Sequence, residues 1–233
     1  MKLAKPALDV GLYTNQLDPS LAFWQDQVDL VYSGMLPLGG GVRQHRHALG
    51  NSVLKVNHSR HKMATAYTGL SNLTVYSTII EEPAQLLDPD GNEIDLYPVD
   101  QGYPNLSLTI RVSDLPRSQR FYGETLGLNE DENGGFKVGA SQIILQQGGQ
   151  QAEIPQKALG LRYMTFQIFD VVTEHAFVTS NGGCEGMAPV RLGDVAFISF
   201  VRDPDGNWIE LSQKKSITGS LACLLYTSPS PRD

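Results

Sequence analysis

Residues 42–47 carry two histidines and two arginines, the densest group of chemically versatile side chains in the chain. Side chains alternate along a strand, so His45 and His47 would share one face while Arg46 lies on the other. Two imidazoles at this spacing could contribute to a metal site or act as acid and base. Arg43 or Arg46 could hold an anionic substrate by a bidentate contact. The alternative is a polar outer strand with solvated side chains.

Two near copies of a turn-and-strand motif each carry a carboxylate. The sequence Asp-Pro-Asp-Gly-Asn begins residues 88–96 and again residues 203–211. Proline presets φ at the second turn position, and glycine closes the turn at the fourth. Alternation along the following strand places Asp95 or Glu210 opposite an apolar pair, where either carboxylate could be a ligand or a general base. Each carboxylate could instead be paired with a cation, such as Lys55 for Asp95.

The elements that would position these groups recur along the chain in the order strand, helix, strands. The first copy is predicted as a strand at 7–13, a helix capped by Asp18 with Pro19 at its first position, and strands near 31–37, 42–48 and 53–57. Two further full copies span 105–147 and 160–213. The copy at 69–98 leaves only residues 78–84 for a crossover, which is too short for a helix. We therefore predict that this module has lost its helix and some middle strands.

Composition excludes several classes of function. A hydrophobic content of 41% and a charged content of 18% fit a globular protein, and a net charge of −7 argues against nucleic-acid binding. No segment is apolar for long enough to cross a membrane, and no signal peptide is evident, so a cytoplasmic setting is expected. Cys184 and Cys223 form neither a disulfide framework nor a zinc motif.

The segment 216–233 breaks the pattern of the modules. It begins with apolar residues and ends in Thr-Ser-Pro-Ser-Pro-Arg-Asp. The run from Cys223 to Asp233 resembles a translated sequencing-adapter tail. We predict that 216–233 is disordered and not native, and we exclude it from the fold.

The module order and the motifs resemble the vicinal oxygen chelate superfamily, which includes glyoxalase I, extradiol ring-cleaving dioxygenases and bleomycin resistance proteins. The resemblance rests on the two Asp-Pro-Asp-Gly-Asn turns and on residues 111–128, and it covers about 7–213. It implies an α+β fold in which repeated βαβββ modules form two cupped mixed sheets with helices outside. We divide the chain into a first domain at 1–100, with its second module (69–98) shortened, and a second domain at 105–215.

Metal-dependent members of that superfamily hold one divalent ion (Fe, Mn, Mg, Ni or Zn) between first-strand histidines and a late-strand glutamate. Strand parity maps the first-strand positions to Asp9, Asn72, Ser107 and Tyr163, and late-strand positions to Lys55, Asp95 and Glu210. No first-strand position is a histidine, and the Lys55 ammonium would compete with a cation for the carboxylates. The candidate metal ligands implied by the resemblance are Asp9, Asn72, Asp95 and Glu210.

The resemblance leaves two main functions open. The first is an enzyme acting on a small oxygenated molecule, as a lyase, isomerase or ring-cleaving dioxygenase, with its site in a cup formed by the first half. Its catalytic groups would be His45, His47 and Lys55, and its substrate-binding groups Arg43, Arg46 and Tyr163. The alternative is a metal-free protein that binds a drug or metabolite, as the bleomycin resistance members do. Either protein would be a monomer or homodimer with a small-molecule ligand. A third alternative is an inactive fragment whose first cup is left open by the short module.

Overall fold

The fold consists of two mixed β-sheets with a few short helices. The structure is a computed structural model, and it describes residues 1–78, 80–99 and 105–221. The first module contains β1 (Leu3–Thr14), α1 (Leu17–Ala22), β2 (Val31–Gly39), β3 (Val42–Leu49) and β4 (Ser52–Ser59). The second contains β5 (Leu70–Ser77), β6 (Ala84–Leu87) and β7 (Glu93–Pro98). These bounds confirm that the second module is shortened, because its described residues contain no helix.

The third and fourth modules keep the full order of elements. The third contains β8 (Leu106–Val112), α2 (Leu115–Arg120), β9 (Asn129–Glu130), β10 (Phe136–Val138) and β11 (Ser141–Gln147). The fourth contains β12 (Gly160–Ile168), α3 (Val171–Ser180), β13 (Cys184–Leu192), β14 (Ala196–Arg202) and β15 (Trp208–Lys214), and α4 (Lys215–Thr218) follows it. The α+β architecture predicted from the sequence is therefore confirmed.

Each sheet combines modules that are distant in sequence. The eight-stranded sheet has the order β13-β14-β15-β12-β1-β4-β3-β2, so the first and fourth modules meet at the antiparallel β1–β12 pair. The seven-stranded sheet has the order β6-β7-β5-β8-β11-β10-β9 and joins the second and third modules. The expectation of a cup formed by the first half alone is wrong, because the fourth module completes the first module's sheet. The division into 1–100 and 105–215 stays a prediction, and its boundary at 101–104 lies outside the described residues.

The first residues of α1 and α2 differ in their capping hydrogen bonds. Asp114 caps α2, since its carboxylate accepts a hydrogen bond from the Arg117 amide at 2.9 Å. The predicted cap at Asp18 is wrong: α1 begins at Leu17, and the preceding Gln16 makes no side-chain cap. Asp18 instead lies in the first turn, where its negative charge interacts favourably with the positive end of the helix dipole.

The apolar faces of the two sheets and their helices share one core. Leu8, Val10 and Leu12 of β1 are buried in it, while the alternate residues Asp9, Gly11 and Tyr13 face the concave side of the sheet. Burying one face in this way fixes which side chains can reach a ligand on the other.

The chain end is ordered further than expected. Residues Lys215–Thr218 form α4 and Leu221 is buried, so the predicted disorder of 216–233 is wrong for its first part. Residues 222–233 lie outside the described part of the chain. Among the helices that the structure describes, none is both long and apolar enough to cross a membrane.

Candidate functional site

Two concave surfaces carry the polar residues singled out by the sequence. The eight-stranded cup is the concave face of the larger sheet and includes Asp9, Arg46, Lys55, Asn57, Tyr163, Thr165 and Glu210. The seven-stranded cup is the concave face of the smaller sheet and includes Asn72, Thr74, Asp95, Ser107, Thr109 and Arg111. The predicted ligands are thereby split, with Asp9 and Glu210 in one cup and Asn72 and Asp95 in the other.

The floor of the eight-stranded cup is an internal ion pair. The Lys55 Nζ lies 2.6 Å from the Glu210 Oε2 and 2.7 Å from the Thr165 Oγ1. The Thr165 hydroxyl also donates to the same Glu210 oxygen at 2.6 Å. Lys55 is only 3% exposed, so its ammonium supplies the positive charge that the largely buried Glu210 carboxylate requires.

Tyr163 fills the space beside this pair. Its hydroxyl accepts hydrogen bonds from Asn57 Nδ2 at 3.1 Å and Gln44 Nε2 at 3.4 Å. Burial, followed by the charge of Glu210, raises the pKa of Tyr163 well above its ordinary value, so the hydroxyl stays protonated. The ring packs against Gly11, and this part of the cup is filled by the protein's own side chains.

Asp9 has its own partners. Its carboxylate pairs with Lys5 and accepts hydrogen bonds from the Val53 amide at 2.9 Å and Gln167 Nε2 at 3.3 Å. It does not meet the predicted partners Asn72 and Asp95, which lie on the other sheet.

His45 and His47 of β3 lie on one face of the eight-stranded sheet, and Lys55 of β4 lies on the opposite face. In the β3–β4 ladder Arg46 pairs with Lys55, whereas His45 pairs with Val56 and His47 with Leu54. Residues opposite each other in a ladder share a face, so both imidazoles lie on the apolar side. The predicted grouping of the two histidines with Lys55 is therefore wrong. The apolar residues Leu54 and Val56 of β4 lie on the same face as the histidines, and Lys55 lies on the other face.

The surroundings of the histidines are those of a packed outer layer. The Tyr32 hydroxyl lies 3.1 Å from His45 Nδ1, and its ring packs edge-on against His47. Burial, with a smaller effect from His45, lowers the pKa of His47 to about 4, so this imidazole is neutral near pH 7. Arg43 shares this face, but it is exposed near the start of β3 and pairs with His58 in the ladder, away from both cups.

The seven-stranded cup contains an open cavity of about 720 Å³. Its polar lining falls into rows of cross-strand neighbours. One row contains Asp95, Thr74, Ser107 and Gln142. The next contains Glu93, Asn72, Thr109 and Ile144, with Arg111 one level beyond.

Hydrogen bonds hold several of these lining groups in place. The Thr74 hydroxyl donates to the Asn72 side-chain oxygen at 3.2 Å, and the Ser107 hydroxyl donates to the Gln142 side-chain oxygen at 3.0 Å. The sequence identified Asn72, Asp95 and Ser107 but missed Thr109 and Arg111. The alternation Leu106, Leu108, Ile110 along β8 points both missed residues into the cup and could have found them.

Neither cup presents a donor set that fits the superfamily's metal ion. In the eight-stranded cup the carboxylate of Glu210 already forms an ion pair with Lys55, and the carboxylate of Asp9 forms one with Lys5. In the seven-stranded cup the lining consists of hydroxyls, amides and two carboxylates, without histidine. Within the described residues no group of three or more His, Cys, Asp or Glu side chains could hold a metal ion.

Two cupped mixed sheets built from βαβββ modules define the vicinal oxygen chelate fold. Residues 106–211 match the family model of the Glyoxalase/Bleomycin resistance protein/Dioxygenase superfamily. This match covers 106 of the 233 residues and, for that segment, confirms the resemblance seen in the sequence.

Comparison with individual proteins agrees with this assignment. The chain is 29% identical over 131 residues to lactoylglutathione lyase of Haemophilus influenzae, and the match covers 50% of this chain and 96% of that one. Glyoxalase I from Zea mays superposes with a TM-score of 0.72 at 16% identity, covering 94% of this chain and 96% of its own. A putative dioxygenase from Bacillus subtilis gives a TM-score of 0.63 at 10% identity, covering 92% and 85%. These two structures are similar in fold.

Proposed function

We propose that the protein binds a small oxygenated molecule in the seven-stranded cup and acts on it in a glyoxalase-like manner, without a chelated metal. The observation that carries this proposal is the contrast between the two cups. The seven-stranded cup encloses a cavity of about 720 Å³ lined by hydrogen-bonding side chains. The eight-stranded cup is filled by Tyr163 and closed by the Lys55–Glu210 pair. A cavity of this size suits a small metabolite.

The proposed chemistry is a proton transfer next to a carbonyl group, as in a lyase or isomerase. The Asp95 carboxylate is the general base that takes the proton from carbon and returns it to the neighbouring carbon. Thr74 and Ser107 are in the same row as Asp95, and their hydroxyls, which donate to Asn72 and Gln142 without a ligand, can rotate to donate to the oxygen on which negative charge develops. Arg111 lies farther along the cup and can hold an anionic end of the substrate.

Asn72 and Asp95, which the resemblance implied as metal ligands, instead contact the substrate in this proposed site. His45 and His47, which lie on the apolar face of β3, have no chemical role there. No step passes through a metal ion, since neither donor set fits one.

A second candidate function is binding without turnover, as in a resistance or carrier protein. The observation that favours it is the neutral character of most of the lining, which offers many hydrogen bonds and only Asp95 and Glu93 as bases. Both candidates use the same cavity, so binding and turnover must be measured separately.

The test uses isothermal titration calorimetry and product analysis with S-lactoylglutathione, and calorimetry alone with pyruvate as a probe of binding. Asp95→Asn should abolish turnover and leave binding within about threefold, whereas Arg111→Gln should weaken binding by about tenfold or more. Arg120→Gln and Glu124→Gln make matched charge changes on the helical side of the same module and should change neither quantity. Excess chelator should leave both unchanged.

Binding without turnover in the unaltered protein would favour the carrier function. Equal effects of the cup variants and the helical-side controls would overturn the site itself. Activity that chelator removes and a divalent ion restores would overturn the metal-free mechanism.

A further inference from the structure

Two basic side chains of the eight-stranded cup have no anionic partner. Lys55 pairs with Glu210 and Lys5 pairs with Asp9, so both carboxylates of the cup are already engaged. Within residues 1–78, 80–99 and 105–221, the side chains of Arg46 and Lys214 make no ion pair or hydrogen bond. Among the described residues, this part of the cup therefore has the four cations Lys5, Arg46, Lys55 and Lys214 against the two anions Asp9 and Glu210, in a chain whose net charge is −7.

The topology brings these two cations toward one region. Arg46 is the direct ladder partner of Lys55, and Lys55 contacts Glu210 on β15. Lys214 is on the same face of β15 as Glu210, at the end of the strand. The curl that lets β4 touch β15 thus also turns β3 toward the end of β15.

Among the described residues, buried polar atoms of this cup have no hydrogen-bond partner. Ser212 and Gln167 are ladder partners on β15 and β12, and their side chains share the cup face with Glu210. The Ser212 Oγ and the Arg46 Nε are buried and have no hydrogen-bond partner in the described part of the chain. A buried polar atom without a partner costs free energy, so such a cluster indicates a bound group that satisfies it.

We infer that this end of the eight-stranded cup, formed by Arg46, Lys214 and Ser212, binds a small oxyanion such as a phosphate group. The guanidinium of Arg46 supplies a fork of N–H donors, the Lys214 ammonium supplies a second charge, and the Ser212 hydroxyl supplies a neutral donor. This site goes beyond the proposed function, since it lies on the other sheet from the cavity of the seven-stranded cup.

The electrostatics of Lys214 agree with the inferred site. Burial, followed by the charges of Lys55 and Arg46, lowers the pKa of Lys214 to about 8, against the opposite effect of Asp9 and Glu210. Repulsion among the cations is therefore present while no anion is bound. An oxyanion between Arg46 and Lys214 would replace this repulsion with attraction.

The test is calorimetric titration with inorganic phosphate at pH 7 and constant ionic strength. Arg46→Gln and Lys214→Gln should each weaken phosphate binding about tenfold or more, as expected for losing a charge-assisted hydrogen bond. Arg43→Gln, on the opposite face of the same strand, and Lys215→Gln, next along the chain, remove the same charge outside the cup. These controls should change the affinity by less than about twofold.

The melting temperature without phosphate separates a binding role from a structural one. Arg46→Gln and Lys214→Gln should not lower it, because each removes an unpaired cation from a cationic region. Titration with glycerol 3-phosphate then identifies the source of the anion: tighter binding than inorganic phosphate indicates an organic phosphate, and weaker binding indicates the free ion. No saturable binding to the unaltered protein, or equal losses in the cup variants and the controls, would overturn the inference.

Discussion

The Lys55 Nζ lies 2.6 Å from the Glu210 Oε2, although β12 and β1 separate their two strands in the sheet. A flat sheet would hold the two side chains too far apart, so the contact reports a tightly curled surface. It joins the first module to the fourth across the centre of the cup. The same contact gives the buried glutamate a tethered cation.

Replacing Lys55 alone should be strongly destabilising. Lys55→Met leaves the Glu210 carboxylate buried without its cation, and we expect the free energy of unfolding to fall by about 3–5 kcal/mol in urea titrations. The double variant Lys55→Met with Glu210→Leu should lose much less, because no unpaired charge remains. Lys215→Met breaks an exposed pair with Asp194 and should lower stability far less than Lys55→Met does. Equal losses in the single and double variants would contradict the pairing.

Glycine is required at position 11 because the Tyr163 ring packs against it, and not because of its backbone φ angle. A Cβ built on Gly11 would lie 2.1 Å from the Cζ of Tyr163, which no rearrangement of the methyl group could relieve. Gly11→Ala should therefore cost about 1–3 kcal/mol of unfolding free energy. In a Tyr163→Leu background the same change should cost far less, since the ring is gone. A cost that is unchanged in that background would show that the strain comes from elsewhere.

The sequence predicted the modules because their signals are local. The two Asp-Pro-Asp-Gly turns close as expected, with Gly91 and Gly206 donating to Asp88 and Asp203 at 2.9 Å and 3.0 Å. Alternation in β5 and β7 correctly placed Asn72 and Asp95 on a concave face. Such features depend only on neighbours a few residues apart.

The candidate site could not be predicted to the same extent, because it depends on which strands pair. The pairing of β1 with β12 brings Glu210 to Lys55 and removes Asp95, and no local pattern specifies that choice. The sequence predicts that His45 and His47 lie in the cup with Lys55, and only the ladder with β4 shows that Arg46 faces the cup while the two histidines face away. A single residue of register decides between these outcomes.

The protonation of His47 should make the protein sensitive to acid. Its pKa is lowered by burial to about 4, below the value of about 6.5 expected in the unfolded chain. The unfolded state therefore binds more protons between these values, so stability is fully present above about pH 6.5 and falls as the pH drops toward 4. We expect a loss of about 3 kcal/mol across this window, measured as the unfolding free energy at several pH values.

His47→Leu should flatten that pH dependence, because it removes the buried group that must be charged on unfolding. His61→Gln changes an exposed histidine and should leave the slope as it is. A slope that His61→Gln reduces as much as His47→Leu does would assign the acid sensitivity to the surface. His45, whose pKa is also lowered by burial, accounts for the part of the slope that His47→Leu leaves.

The turns that begin at Asp88 and Asp203 should contribute differently to stability, because only Asp203 accepts a hydrogen bond from a described tyrosine hydroxyl. Asp203 accepts hydrogen bonds from the Asp205 and Asn207 amides, from the Asn207 side chain, and from the Tyr122 hydroxyl at 2.9 Å. Asp88 has the equivalent bonds from Asp90 and Asn92, and no tyrosine among the residues described around it. Asp203→Ala should therefore destabilise more than Asp88→Ala, by about 1–3 kcal/mol, because it also leaves the buried Tyr122 hydroxyl without an acceptor.

Tyr122→Phe provides the matched control for this difference. In the unaltered protein it should cost about 1–3 kcal/mol of unfolding free energy, since the buried Asp203 carboxylate loses a donor. In the Asp203→Ala background it should be neutral or stabilising, because the unpaired hydroxyl is removed. Additive costs in the double variant would show that the two side chains do not interact, and would assign the difference between the turns to their depth of burial.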